Sequence, residues 1–596
     1  MTLKKSVAVF FSLSLSLSPA WAVSHVVPGT YPNHKQDMIH HPSDVQMRKF
    51  GSMHAAIIGG STGSHNVAVI IVQFPAGNAS LRSGSNSIVS LANIDTYFAN
   101  MKSYYNEVSY TKLQLSFSFF GQNTVLSTGN GTAQASGAYT LAQPMEYYGC
   151  GDEGVGCGAT PTPTPGVVGA NGDVLIADAL TKANGLTGGP KSPTAGGAFD
   201  AVIVLHAGNG NETTQGRNGD IWSIFYSQDT AITATGAGFT EGDVDPETET
   251  SGVSSPLGVM CHEMGHELGL PDLYNTVVSG GASVVGNWEL MDSGPYDGPP
   301  GSGGTNPSHM GAWDKIFLNW ATPQIITSKG NFSQGYVETP PSNIWKLPVQ
   351  NSSPNEYFLV ENRSRSSGAL YDRNLPGDGL LVWHVDDDIT STHGIAASNP
   401  NLQNTVNTKI DSNHFGVSIV PADGIAISNS NQGDSGNPFT SQVFQSHQSD
   451  NFAGQVSGIV MANISGAGSS KASADIANYA SGASQNILKI INFPNPAGKG
   501  YSHPKGEGYT TIQFWLARPA QDWSINIYTL SADLVKKIVK DDIHLQLINR
   551  SSDEKFVYEY DWDLTNGNGA HVAPGVYLYL VRADGESKSG KIVVIR

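Results

Sequence analysis

The chain has 596 residues, a formal charge of −18 and only 14% charged side chains. That length exceeds what one hydrophobic core organises and implies several domains. The acidic balance speaks against nucleic acid as a partner, because its phosphates would be repelled. The 68 glycines point to a loop-rich, β-heavy architecture.

At the start of the chain, Lys4 and Lys5 precede an apolar run from Val7 to Leu17. Pro19-Ala20-Trp21-Ala22 then supplies a small–x–small cleavage pattern. Residues 1–22 read as a secretory signal peptide, so the expected location is secreted, extracellular or at the cell surface. No later run approaches the roughly 18–20 apolar residues of a spanning helix, and no transmembrane segment is expected. Residues 23–50 are polar and His-rich and read as a short prosegment or N-terminal arm.

From residue 51 to 323, buried strands and helices alternate. An apolar run from Val67 to Phe74, broken only by Gln73, predicts a buried strand. A helix follows around Ile94 to Tyr105. Leu113, Leu115, Phe117 and Phe119 then alternate as in a half-buried strand. Cys150 and Cys157 flank a Gly-rich loop and can pair in an oxidising compartment, whereas Cys261 reads as a small buried residue. Asp173 to Asn184 reads as a helix and Phe199 to His206 as a buried strand. This alternation marks an α/β or α+β domain.

The next helix carries the chemistry. Ser255 can cap it and Pro256 fits its first position. Within it, His262 and His266 stand four residues apart, on one helical face. Such a pair suits two corners of a tetrahedral zinc site, with Glu263 beside it as general base for an attacking water. Gly269 can end the helix in a left-handed turn, which brings Asp272 round as the third ligand. Asp272 lies six residues past His266, the spacing at which metzincins place a third histidine. Glu289, on a later element, is the alternative third ligand. Met291 is the candidate for a methionine turn beneath the site, and Tyr296 for stabilising an oxyanion. His206, His309 and His384 read as satisfied core or packing groups. The acidic stretches at Asp386 to Asp388 and around Asp220 are candidates for calcium but read first as solvated loops.

Downstream, Asn306-Pro307 repeats the helix-start signal ahead of Met310, Trp313, Ile316 and Phe317. From 324 to about 478, alternating segments such as Tyr357 to Glu361 and Leu380 to Val385 predict an all-β region. The Ser-, Ala- and Gly-rich stretch from 465 to 485 reads as linker as this region ends, with the linker proper at 479–490. Residues 491–596 alternate at Ile512, Phe514 and Leu516, at Ile525 and Ile527, and at Tyr577, Tyr579 and Val581. Asn566-Gly567-Asn568-Gly569 and Pro574-Gly575 supply turns, and the pattern is that of a small immunoglobulin-like sandwich.

The catalytic part resembles the immune inhibitor A family of secreted bacterial metallopeptidases. The likeness rests on the 262–272 motif, Tyr104 through Tyr110, Val204-Leu205-His206-Ala207-Gly208, Trp222-Ser223, Leu290-Met291, and His309 through Trp320. Glu361-Asn362-Arg363, Leu375-Pro376-Gly377 and Trp383-His384-Val385-Asp386 extend it. The resemblance implies a zinc endopeptidase acting on protein or peptide substrates, the ligand set His262, His266 and Asp272, a metzincin-like fold, and structural calcium as a further ion. The segment 23–50 has no cysteine, which argues against latency through a thiol on zinc. The C-terminal module is similar to flagellar hook-capping-like immunoglobulin domains, through Phe493-Pro494-Asn495-Pro496, Tyr528-Thr529-Leu530, Trp562-Asp563, Pro574-Gly575-Val576-Tyr577 and Lys591-Ile592-Val593-Val594. That likeness implies a sorting tail recognised by a secretion machinery. The rival expectation is a cell-surface binding or adhesion protein with an inactive peptidase-like domain.

Overall fold

A computed structural model describes residues 61–595 apart from internal stretches, the longest being 123–136, 150–171, 275–282, 391–414, 445–456 and 479–486. The expected signal peptide, the segment 23–50, Cys150 and Cys157 lie outside the described residues.

The first half is built on one sheet. Its strands are β1 (Gly63–Gln73), β2 (Leu113–Phe120), β3 (Tyr139–Thr140), β4 (Ala201–Asn209), β5 (Ile224–Ser227) and β6 (Glu241–Thr248). Their order is β2-β1-β4-β6-β5, with β3 on the end of β1. All the pairings are parallel except that of β5, which runs antiparallel along β6 at the edge.

The continuous apolar run in β1 follows from burial on both faces. Val67, Val69 and Ile71 point into one core and Ala68, Ile70 and Val72 into another. The first core is covered by α1 (Leu91–Val108) and the motif helix, the second by α2 (Met145–Gly149) and α3 (Gly172–Asn184). The motif helix is α4 (Leu257–Glu267), and a further short helix, α5 (Ala312–Phe317), follows it. The Tyr105 hydroxyl of α1 donates to the Cys261 carbonyl and fastens α1 to α4.

The second sheet takes β7 (Gln324–Ile325), β9 (Ile344–Pro348), β10 (Glu356–Arg363), β11 (Gly379–Asp386) and β12 (Val417–Val420). A third joins β8 (Gly330–Gln334), β13 (Ile459–Ser465) and β14 (Ala472–Asn478). Strand alternation divides β10 and β11 between two cores. Leu359, Leu381 and Trp383 enter the same core as α1 and α4, while Phe358, Val360 and Val382 pack against β13 and β14. Residues on both sides of position 323 therefore share one core.

The C-terminal strands are β15 (Ile487–Phe493), β16 (Ala497–Gly498), β17 (Thr510–Leu516), β18 (Trp523–Thr529), β19 (Leu534–Val539), β20 (Leu545–Ile548), β21 (Phe556–Trp562), β22 (Gly575–Ala583) and β23 (Glu586–Ile595). They form two sheets, β15-β17-β21-β20 and β16-β23-β22-β18-β19. The alternating residues Ile512, Phe514, Leu516, Ile525, Ile527, Tyr577, Tyr579 and Val581 meet in one core between them. The chain is multidomain and mostly β-sheet with few helices.

Several local expectations are corrected. Residues 459–478 form the β13–β14 hairpin rather than beginning a linker at 465, because Ala472, Ala474 and Ile476 alternate inward. Ile487 to Phe493 already pair with β17, so the linker expected at 479–490 gives up its last residues to the C-terminal unit. Pro256 stands at the cap position of α4, one residue before the helix, although Ser255 Oγ still accepts from Leu257 N at 3.2 Å. Asn306 caps nothing: its amide donates to Leu370 O at 2.8 Å, and α5 starts only at Ala312. Asp220 is fully buried rather than solvated, and its carboxylate takes the amide and hydroxyl of Ser83.

Candidate metal centre

Helix α4 lies over β6 with its far end turning at Gly269, whose φ is +96°. This left-handed conformation is open to glycine at little cost. Gly269 N donates to His266 O at 2.8 Å and Leu270 N to Gly265 O at 3.1 Å, so the chain doubles back within one turn. It returns Asp272 beneath the two histidines. Asp272 Oδ1 stands 3.1 Å from His262 Nε2 and 3.3 Å from His266 Nε2. Among the described residues, these three form the group of His, Cys, Asp or Glu side chains placed to hold a metal ion, with ligand atoms within 4.8 Å of one another.

The donor set fits a divalent cation. His262 Nδ1 lies 2.9 Å from Leu290 O and His266 Nδ1 lies 2.8 Å from Leu270 O. A carbonyl only accepts, so each Nδ1 carries the hydrogen and each Nε2 turns towards Asp272, the usual orientation of ligating histidines. Metal–ligand bonds of about 2.0–2.1 Å put tetrahedral ligand atoms roughly 3.3 Å apart, close to the spacings here. Burial alone would push Asp272 up, but the facing His266 and His262 hold it well below the usual carboxylate range. The Tyr274 hydroxyl, buried beside it, hydrogen-bonds Asp272.

Glu263 is 7% exposed, and its Oε2 accepts from Phe225 N on the edge strand β5 at 2.7 Å. Burial pushes its carboxyl up to about 7, and a cation at the centre would draw it back down. Met291 is fully buried under α4. A Cβ on Gly265 would come within 2.7 Å of Met291 Sδ, so a larger residue there would have to displace the methionine side chain. Met291 O accepts from Leu273 N at 2.8 Å, next to Asp272.

The structure keeps Glu289 out of the group. Its Oε1 accepts from Met291 N at 3.2 Å and its Oε2 from Gly311 N, so it braces the loop under the helix. Tyr296 is buried against Val253 and Val259. His206 is buried, with Nδ1 at 2.9 Å from Ala207 O. His309 bridges Glu107 at 2.9 Å and Lys315 Nζ at 3.1 Å, and His384 meets Glu356 at 2.8 Å. The groups that sequence reasoning missed are the Leu270 and Leu290 carbonyls, the Phe225 amide and Tyr274. Only for the tyrosine was there a residue type to notice.

On β6 and at the end of α4 stand three acids with no ion-pair partner among the described residues. Asp243, Asp245 and Glu267 are at most 1% exposed, and none of their carboxylate oxygens has a hydrogen-bond partner among the described residues. Burial pushes all three well above the usual range, and neighbouring carboxylates add to it: Glu267 beside Asp243, Glu263 beside Asp245, Glu241 beside Glu267. At these three carboxyls the folded chain therefore binds more protons than the unfolded one above about pH 4. The stability these three carboxyls contribute is fully present below that value and is lost as pH rises through their folded titration. Asp243→Asn, which mimics the protonated form, should raise the melting temperature at about pH 8 and far less at about pH 5. Circular dichroism melts at the two pH values test this, and equal gains would show that Asp243 is not held protonated.

Residues 184–323 match the model of the immune inhibitor A peptidase M6 catalytic domain. The pre-pro-metalloprotease PrtV of Vibrio cholerae serotype O1, from two strains, is 33% identical over 130 residues, 20% of this chain and 14% of PrtV. Immune inhibitor A of Bacillus thuringiensis subsp. alesti is 33% identical over 143 residues, 21% of this chain and 20% of that protein. The match thus spans a small part of those relatives' length. Among solved structures, PorZ of Porphyromonas gingivalis is 15% identical over 43% of this chain and 24% of PorZ. Its TM-score of 0.17 is too low to indicate a common fold. Over residues 184–323, the chain is thus similar to the catalytic domain of the immune inhibitor A (M6) peptidases.

Proposed function

We propose that this protein is an exported zinc endopeptidase that hydrolyses peptide bonds in proteins. The observation that carries the reading is the convergence of His262 Nε2, His266 Nε2 and Asp272 Oδ1 on one point. The family match over 184–323 supports it. Zinc held by these three residues would supply the Lewis acidity that activates water and polarises a carbonyl. Glu263 holds one oxygen on the Phe225 amide and offers the other to the attacking water. It takes the proton and passes it to the departing amine. Tyr296 is the candidate to stabilise the oxyanion. The sharp turn at Gly269 and the buried Met291 under α4 support a metzincin-like arrangement.

Export rests on the signal-like residues 1–22, and no described helix is long and apolar enough to cross a membrane. The two-sheet C-terminal unit is read as an immunoglobulin-like module, and as a sorting tail for a secretion machinery. The catalytic unit is assigned to 51–323 with the β-rich region of 324–478 attached. Beyond the centre described, the described residues hold no further His, Cys, Asp or Glu group placed to bind a metal, and none of them supports calcium.

The rival, a binding or adhesion protein with a decayed peptidase domain, fits less well, since Glu263 and the candidate ligands His262, His266 and Asp272 are all retained in the sequence. Purified, processed protein should cleave casein, and a zinc chelator should abolish the cleavage until zinc is restored. Zinc-loaded, processed protein without activity would establish the binding reading instead.

A further inference from the structure

We infer that Arg363, outside the 184–323 segment, is a positioning residue of the metal centre, acting through the carbonyl of Trp288 on the loop that orients His262 and Asp272. Arg363 ends β10 and is wholly buried. Its Nε and Nη2 fork onto Asp372 Oδ2 at 2.8 Å and Oδ1 at 2.7 Å. Its Nη1 reaches Glu361 Oε1 at 3.0 Å and Trp288 O at 2.9 Å. A buried guanidinium must spend its donors on fixed partners. The planar fork to Asp372 sets the ring of donors, and the remaining nitrogen then fixes where Trp288 O lies.

From Trp288 the constraint passes to the centre in a few bonds. Asp292 Oδ2 accepts from the amides of Val284, Val285 and Gly286, each at 2.9 Å. Glu289 holds Met291 N and Gly311 N. The loop between them is thus tied as one unit. It presents two consecutive carbonyls to the site: Leu290 O takes His262 Nδ1, and Met291 O takes Leu273 N beside Asp272. A shift at Trp288 therefore tilts one ligand ring and displaces the turn bearing another. Asp372 Oδ1 also accepts from His309 N at 2.7 Å, which anchors the fork to the segment before α5.

The inference rests on the zinc reading above, and its test separates the two. In the full-length, processed protein, Arg363→Lys keeps the charge but not the reach to both Asp372 and Trp288. Its zinc dissociation constant, measured by chelator competition, should rise about 10–100-fold, as for partners that orient metal ligands. At saturating zinc, kcat should fall while KM stays within about twofold. Arg365→Lys alters the partly exposed pair with Asp378, where Nη2 lies 2.6 Å from Oδ2, and should change neither value. Asp372→Asn, which loosens the fork with the guanidinium in place, should reproduce the loss of zinc affinity and keeps the question answerable if Arg363→Lys does not fold. A merely structural role would lower the melting temperature and leave zinc affinity and kcat alone. Folded variants that hold zinc as tightly as the wild type overturn the inference. A wild type that binds no zinc overturns the zinc reading as well.

Discussion

Glu263→Gln should lower kcat by about 10²–10⁴-fold while leaving zinc bound, because it removes a proton acceptor and not a ligand. The side chain keeps its length, and its amide oxygen can still accept from Phe225 N, the bond that holds Glu263 Oε2 at 2.7 Å. What it loses is the capacity to take a proton from water and return it to the leaving amine. Zinc content and turnover of a protein substrate are to be measured on the same preparation. Full activity with zinc bound would remove Glu263 from the mechanism, whereas loss of both would make it a structural support for the centre.

Asp272→Ala should weaken zinc binding by at least roughly a hundredfold, since residues that only orient a ligand already account for about 10–100-fold. Asp272 is 1% exposed and faces both histidines. Without it the two Nε2 atoms have no anionic partner, and the Tyr274 hydroxyl loses its acceptor. Metal analysis after dialysis measures the effect. Zinc retained in full would move the third position to another residue. Asp272 remains the member of the set that sequence supported least, resting there on a glycine and a spacing.

The periodic parts of the fold were open to reading from sequence alone. Val67 through Val72 had to be buried on both faces, and the alternation at Leu113 to Phe119 had to give a strand. The failures came where a residue type has two uses. Asn306-Pro307 looks like a helix start, but the Asn306 amide is taken by Leu370 O, a partner distant in sequence. The Ser- and Ala-rich stretch near 472 looks like linker, but small residues can pack inside a hairpin when they alternate. Asp220 looks like a solvated acid until Ser83 is seen to satisfy it.

The candidate metal centre divides the same way. The pairing of His262 with His266 follows from helical geometry alone, and so does the place of Glu263 between them. The reversal at Gly269 was also legible, because the left-handed turn it allows is a local matter. That Asp272 and not Glu289 stands beside the two histidines was not a local matter. It depended on Glu289 being occupied by the amides of Met291 and Gly311. The orientation of each histidine depended likewise on the carbonyls of Leu270 and Leu290. Backbone groups are the same in every residue and leave no mark in a sequence. Sequence therefore determined which side chains could do the chemistry, and the tertiary structure decided which of them meet and what holds them there.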